Sequence, residues 1–162
     1  MKIIVDTREQ LPLDFQHHYI TEVIRRKLEV GDYGCQLEDG HETPIYFERK
    51  SVSDLFGTLS SGYKRFKKEI LRAKENKLLL IIIIECSLTR IIKGIDESQR
   101  TGDEVVQQLF TIMCRYQVPF ICCKDRFEMS RYITEFYLAY GREYIDRKKH
   151  CQTLEFTTDT HS

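Results

Sequence analysis

The uninterrupted apolar run from Leu78 to Ile84 constrains the fold more than any other segment of this chain. A strand that is buried on both faces of a sheet is apolar at successive positions, whereas a half-buried strand alternates. The run is far too short to span a bilayer. We therefore predict a buried strand over Leu78–Glu85, in an α/β fold with a central mixed sheet flanked by helices.

The rest of the chain alternates between strand-like and helix-like patterns. A hairpin turn is predicted at Asp39-Gly40, residues 18–28 have a helical or mixed periodicity, and residues 87–102 have a loop-like composition. The other predicted strands are 2–6, Pro44–Lys50 and Val118–Cys123. The predicted helices are Val52–Leu59, 63–76, Asp103–Tyr116 and Arg126–Tyr140.

Length and composition fit a single globular domain. The chain has 162 residues, of which 41% are hydrophobic and 31% charged, as in ordinary soluble proteins. We predict one domain over residues 1–145 and a flexible polar tail over residues 146–162. The chain opens directly into a strand-like segment without a signal sequence, and its cysteines include no C-x-x-C pair. These features predict a soluble cytoplasmic protein with reduced thiols and no membrane partner.

Two short segments contain the residue types of a divalent-metal hydrolytic site. Side chains alternate along a strand, so Glu48 and Lys50 should point to one face and Arg49 to the other. If Asp32 ends a neighbouring strand, Asp32 and Glu48 can hold one hard cation, and Mg²⁺ prefers such oxygen ligands. Lys50 would then orient or deprotonate the attacking water and offset charge on a phosphate. We predict Asp32, Glu48 and Lys50 as catalytic residues.

Four segments of the chain together resemble the XPF-type nuclease family in order and spacing. The resemblance covers roughly residues 1–140 and implies a restriction-endonuclease-like fold and a structure-specific DNA endonuclease. Within the family, the chain resembles a stand-alone nuclease domain, more like those of bacteria and their phages. The matching segments are Val5-Asp6-Thr7-Arg8-Glu9, Gly31-Asp32-Tyr33, Glu48-Arg49-Lys50-Ser51-Val52-Ser53-Asp54-Leu55 and Gly57-Thr58-Leu59.

The resemblance also implies supporting residues. In this family the first of these segments adjoins the metal site, so Asp6 is predicted as a further metal ligand, and Glu9 and Arg8 as supporting residues. The alternative for this segment is a strand-end turn with a local Arg8 salt bridge. Arg49 either braces the sheet by pairing with a carboxylate or contacts the metal through its carbonyl. Asp54 is predicted to cap its helix and support the site.

The charge distribution indicates where DNA would bind. The chain has 25 basic and 25 acidic residues, but Tyr63–Lys77 contains seven basic and two acidic ones, a local excess of seven minus two, or +5. Phosphate contacts are made by local patches, so a neutral total does not exclude DNA binding. The alternative is a solvated helix face. The predicted DNA-binding residues are Lys64, Arg65, Lys67 and Lys68.

Taken together, the motifs and the resemblance predict an enzyme. It would hydrolyse phosphodiester bonds with Mg²⁺, or Mn²⁺ as a substitute, at branched or flap DNA in repair or recombination. Two alternatives remain open: a catalytically silent module for DNA binding or partner docking, and a nuclease without structure specificity that also accepts RNA. The resemblance further implies a homodimer formed through Asp103–Tyr116 and Arg126–Tyr140. A targeting protein is predicted as a second partner, because a small domain of neutral net charge should bind DNA weakly by itself.

Overall fold

A six-stranded mixed sheet forms the centre of the protein in a computed structural model that describes residues 1–158, with side chains for residues 1–150. The strands occur in the spatial order β2-β1-β3-β4-β5-β6. They are β1 Lys2–Val5, β2 Glu22–Arg25, β3 Tyr33–Gln36, β4 Ile45–Lys50, β5 Leu79–Ile84 and β6 Phe120–Cys122. The helices are α1 Val52–Leu59, α2 Tyr63–Glu75, α3 Leu88–Lys93, α4 Gly102–Tyr116 and α5 Arg126–Thr158.

The sheet combines both kinds of strand pairing. β1 pairs with β2 in parallel, and β4, β5 and β6 form a second parallel group. β3 joins the two groups because it is antiparallel to both β1 and β4. The predicted buried strand is confirmed as β5, which is flanked by β4 and β6, and Leu80–Ile84 are at most 2% exposed.

Helices cover both faces of the sheet, and β5 contributes to both hydrophobic clusters. Ile82 and Ile84 pack in the cluster that includes side chains of α1, α2 and α4. Ile81 and Ile83 pack in the opposite cluster, which contains apolar residues of α5. In that second cluster the buried Tyr137 hydroxyl donates a hydrogen bond of 2.9 Å to the Ile45 carbonyl and so ties α5 to β4.

Local sequence signals set several element boundaries. Ser51 caps α1 by accepting a hydrogen bond of 3.2 Å from the Asp54 amide, and its hydroxyl donates to the Asp54 carboxylate at 2.6 Å. A capping box between Thr101 and Glu104 starts α4,. The predicted turn at Asp39-Gly40 connects β3 to β4, and the Leu37 amide donates to the His41 carbonyl at 2.8 Å.

Two sequence predictions of secondary structure were wrong. Residues 18–28 contain the edge strand β2, and its side chains are largely exposed. Because no face of β2 is buried, the segment lacks the alternation by which a strand is recognised. Residues 87–102, predicted as a loop, contain the short helix α3, which Ser87 caps and Ile91 anchors in the core.

The last helix is longer than predicted. α5 continues past Tyr140 to Thr158, so the predicted domain boundary at residue 145 falls inside it. Tyr144 stacks on His41 at 4.2 Å, and Lys148 pairs with Asp39 at 2.8 Å, which holds the helix against the β3–β4 turn. The flexibility of residues 146–162 remains a prediction, and residues 159–162 lie outside the described part. No helix within residues 1–158 is long and apolar enough to cross a membrane.

The close approach of α3 and α4 generates a stability prediction. A Cβ atom added at Gly102 would lie 2.2 Å from the carbonyl oxygens of Ile91 and Ile92, whereas one added at Gly57 in α1 would meet nothing within 4 Å. We expect Gly102→Ala to lower the free energy of unfolding by about 2 kcal/mol or more. The control Gly57→Ala should raise it by about 0.5–1 kcal/mol, since alanine is the better helix former. Urea unfolding measures both, and equal stabilities would contradict the prediction.

Candidate active site

Asp32 lies where β1, β3 and β4 meet. It immediately precedes β3, and its amide donates to the Phe47 carbonyl at 2.7 Å while its carbonyl accepts from the Asp6 amide at 2.8 Å. The Arg49 amide donates to the Asp32 carboxylate at 2.8 Å. The carboxylate is therefore fixed to β4 through the backbone, on the residue that follows Glu48.

Gly31 makes this close approach possible. Its φ of +70° is unfavourable for other residues, and a Cβ atom would lie 2.9 Å from the Phe47 carbonyl oxygen,. Its amide donates to the Glu69 carboxylate of α2 at 3.0 Å. The turn that presents Asp32 is thus held by β4 on one side and by α2 on the other.

Glu48 and Lys50 point to one face of β4, as the strand alternation predicts. Lys50 Nζ lies 2.6 Å from Glu48 Oε1 and 5.5 Å from the ring centre of Phe66 in α2. Glu48 is only 7% exposed. The salt bridge keeps a buried carboxylate and an ammonium group together beneath α2.

A cavity of about 420 Å³ opens above Asp32 and Glu48. The loop carrying Gly31 and the α2 helix form its walls, and three exposed basic residues of α2 lie at its rim. The cavity thus combines buried carboxylates with surrounding cations, the combination needed to admit a phosphate beside a metal ion. Its lining residues are Arg8, Gly31, Asp32, Glu48, Arg65, Lys68, Glu69 and Arg72.

The carboxylates destabilise one another in their charged forms. Burial, followed by the charges of Glu9 and Glu69, raises the pKa of Asp32 to about 6, against the lowering effect of the Arg49 amide and Lys50. Burial and then the charge of Asp32 raise the pKa of Glu48 to about 8. For Lys50, burial acts to lower the pKa, but Glu48 and Asp32 outweigh it and raise the pKa, so the side chain is cationic at neutral pH.

These two carboxylates fit a hard divalent cation. They supply oxygen donors, and a bound cation would stabilise the charged forms that burial and neighbouring carboxylates disfavour,. Among the side chains of residues 1–150, no three His, Cys, Asp or Glu residues form a ready-made metal cluster. A Mg²⁺ ion would thus rely on two protein carboxylates, with water and substrate phosphate as its other ligands, as is usual for this ion.

Asp6, predicted as a further metal ligand, is fully buried and saturated with hydrogen bonds. Its carboxylate accepts from Arg8 Nε at 2.7 Å, the Arg8 amide at 2.8 Å and the Leu28 amide at 2.6 Å. Burial acts to raise the pKa of Asp6, but the hydrogen bonds from Arg8 and Leu28 outweigh it and lower the pKa. These contacts favour a structural role for Asp6, whereas Arg8 reaches the cavity.

Arg49 points to the opposite face of β4 from Glu48 and Lys50. Its guanidinium pairs with Glu9 at 3.1 Å and with Glu85 at 3.4 Å. Glu9 also accepts from the Leu11 amide at 2.9 Å. Glu9 and Arg49 therefore brace β4 from behind, while the Arg49 backbone amide holds Asp32. Asp54 lies at the start of α1 and pairs with Ser51, as described above.

The predicted DNA-binding residues separate into two groups. Arg65 and Lys68 line the cavity, whereas Lys64 and Lys67 do not. Sequence reasoning missed Glu69 and Arg72 as cavity residues. A signal for them existed, because residues 65, 68, 69 and 72 have the i, i+3, i+4, i+7 spacing that places them on one face of a helix. The Arg72 guanidinium also donates to the Glu29 carbonyl at 3.3 Å and so joins α2 to the Asp32 turn.

Comparison of the sequence with models of protein families identifies the family of this chain. A sequence model of the ERCC4 domain matches residues 5–136, which is most of the chain. The chain belongs to the ERCC4 domain family. This confirms the family resemblance seen in the motifs, and the residues at the cavity lie within the matched ERCC4 domain. No curated protein sequence matches the chain.

Solved structures support the fold of this ERCC4 domain. XPF from Aeropyrum pernix is 19% identical with a TM-score of 0.64, and the match covers 92% of this chain and 69% of that chain. XPF from Aeropyrum pernix in complex with DNA is 20% identical with a TM-score of 0.66, and the match covers 88% of this chain and 66% of that chain. The chain therefore spans about two thirds of each of these relatives. The predicted restriction-endonuclease-like fold is confirmed.

The hydrogen bond between Glu69 and Gly31 leads to a prediction about activity. Glu69→Ala removes the acceptor that holds the Asp32 turn. It should lower kcat by about 10- to 100-fold, because small displacements of reacting groups strongly reduce the rate. Glu69→Gln keeps an acceptor oxygen and should retain most of the activity. Steady-state DNA cleavage measures both, and DNA affinity should not fall in either variant. If Gln were as damaging as Ala, the negative charge itself would be required, and a purely positioning role would be wrong.

The raised carboxylate pKa values generate a pH prediction for the metal-free protein. Between about pH 4 and pH 8 the folded protein binds more protons at Asp32 and Glu48 than the unfolded chain does, so its free energy of unfolding should fall as pH rises,. Asp32→Asn keeps an acceptor for the Arg49 amide but removes one charge. We expect it to be more stable than the wild type by about 1–2 kcal/mol at pH 8 and to show a weaker pH dependence. Thermal unfolding in EDTA tests this, and a less stable variant at pH 8 would contradict it.

Proposed function

We propose that this protein is a divalent-metal-dependent DNA endonuclease that hydrolyses phosphodiester bonds at branched or flap DNA structures. The observation that carries the proposal is the cavity that Asp32 and Glu48 line together with basic residues of α2, with Lys50 paired to Glu48 at 2.6 Å. Membership of the ERCC4 domain family supports a nuclease. A relative of this fold has been solved in complex with DNA, which supports DNA as the substrate.

In this proposal Asp32 and Glu48 hold Mg²⁺, and Mn²⁺ can replace it. When bound, the metal supplies a Lewis acid that neutralises charge on the scissile phosphate and activates a water. The Arg49 amide holds the Asp32 carboxylate in place through its 2.8 Å hydrogen bond. The 2.6 Å salt bridge from Lys50 likewise orients Glu48, so both carboxylates are positioned before any substrate enters.

The basic side chains bind and neutralise the substrate. Lys50 is cationic and pairs with the cavity residue Glu48, and in this proposal it offsets the charge that develops on the phosphate in the transition state. Arg65, Lys68 and Arg72 line the same cavity and bind the DNA backbone on either side of the scissile phosphate,. We propose that hydrolysis releases the 3′ oxygen and leaves a 5′-phosphate.

The alternatives predict different behaviour. A catalytically silent DNA-binding or docking module has no need for Asp32 and Glu48 in one cavity with Lys50 paired to Glu48, and this arrangement argues against it. A nuclease without structure specificity would cut matched linear DNA, branched DNA and RNA equally well. A homodimer through α4 and α5, and a targeting protein, remain predictions about partners of this domain.

The test is cleavage of a labelled panel containing single strand, duplex, flap, splayed arm and four-way junction, together with RNA of matched sequence. We expect cutting with Mg²⁺ or Mn²⁺, none with EDTA, and a preference for branched DNA. Lys50→Ala should lower the rate by at least about 100-fold, because it removes the cation that stabilises transition-state charge.

The Lys50→Ala variant should still fold, since the Glu48 carboxyl can take up a proton when it loses its partner. Circular dichroism and thermal unfolding confirm this before kinetics are compared. Cleavage by Lys50→Ala at the wild-type rate would overturn the site assignment. Binding of the panel without cleavage under any metal condition would favour the silent module.

A further inference from the structure

The basic residues of α2 are not paired with carboxylates. Among residues 1–150, every ion pair within 4.0 Å involves only residues outside α2. Unpaired cations on one helix leave a concentrated positive charge that a polyanion can neutralise. The residues concerned are Lys64, Arg65, Lys67, Lys68, Arg72 and Lys74.

These cations form two rows on opposite sides of α2. Arg65 and Arg72 are seven residues apart and face the cavity. Lys67 and Lys74 are also seven residues apart, and at 3.6 residues per turn their row lies about 160° around the helix axis from the first row. The rows are thus separated by roughly the helix diameter of about 10 Å. Between them on the solvent side lies Lys64, so positive charge continues over the helix.

The second row meets the end of α4 and forms a distinct surface, which we call the α2–α4 seam, consisting of Lys67, Lys74, Arg115 and Tyr116. Lys74 Nζ donates to Gln117 Oε1 at 3.0 Å and lies 5.9 Å from the ring centre of Tyr116. Desolvation acts to raise the pKa of the Tyr116 phenol, but the adjacent Arg115 and Lys67 outweigh it and lower the pKa. Three cations therefore converge around one aromatic ring at the seam.

We propose that the α2–α4 seam is a second phosphate-binding surface, which contacts the backbone of DNA flanking the phosphate held in the cavity. The inference rests on the proposed nuclease function. DNA carries about one charge per 1.7 Å of helix axis, so a strand that crosses the diameter of α2 brings further phosphates to the seam. Long-armed substrates should engage both surfaces, whereas a short oligonucleotide should engage the cavity alone.

The test compares DNA affinity in EDTA, where no cleavage interferes. The seam variant is Lys67→Gln with Lys74→Gln, and the matched control is Lys93→Gln with Lys124→Gln, which removes the same charge from exposed residues outside α2 and the seam. Fluorescence anisotropy is measured over a range of salt, with a long-armed flap and with a short oligonucleotide that fills only the cavity.

We expect the seam variant to bind the long-armed flap about tenfold more weakly than the control variant does. In a plot of log affinity against log salt concentration, the slope of the seam variant should be shallower by about 1.8, because two phosphate contacts are lost. Binding of the short oligonucleotide should match the control. Arg115→Gln should produce the same pattern more weakly.

Two results would overturn the inference. If the seam variant and the control bind the long-armed flap equally, the seam does not contact DNA. If the seam variant also weakens binding of the short oligonucleotide, its lysines act through the cavity. Failure of the wild-type protein to bind any DNA would instead refute the proposed function, and the seam proposal with it.

Discussion

The hydrogen bond from the Arg49 amide to the Asp32 carboxylate is the contact on which the candidate site depends. It connects the turn before β3 to the strand that carries Glu48 and Lys50. Gly31 permits that approach, because a larger residue would collide with the Phe47 carbonyl. The sheet therefore sets the separation of the two carboxylates, and no side-chain flexibility is required to bring them together.

The opposite face of the same strand stabilises this arrangement. Arg49 places its backbone toward Asp32 and its guanidinium toward Glu9 and Glu85. One residue thus links the cavity to a largely buried ion-pair network on the opposite face of β4. Removing one partner of such a network destabilises the fold, because a buried charge is left unpaired. The network therefore stabilises the geometry of the cavity.

Stability and function oppose each other inside the cavity. Burial and neighbouring carboxylates raise the pKa values of Asp32 and Glu48, which the metal-free fold tolerates through the Lys50 salt bridge and the Arg49 amide. The same environment favours a divalent cation. Lys67 and Lys74 extend the positive surface of α2 toward α4, and we propose that this surface adds to the affinity for DNA.

The sequence alone determined the family, the central strand β5, the alternation of Glu48 and Lys50 on β4, and the capped start of α1, because these follow from short-range periodicity and local hydrogen bonds. It did not determine β2, whose exposed edge position leaves no pattern, or the length of α5, which contacts with Asp39 and His41 extend. Tertiary structure alone brought the Leu28 amide to Asp6 and placed Glu69 and Arg72 against the turn that carries Asp32. Those contacts join residues far apart in the chain, and residue spacing carries no information about which distant partners meet.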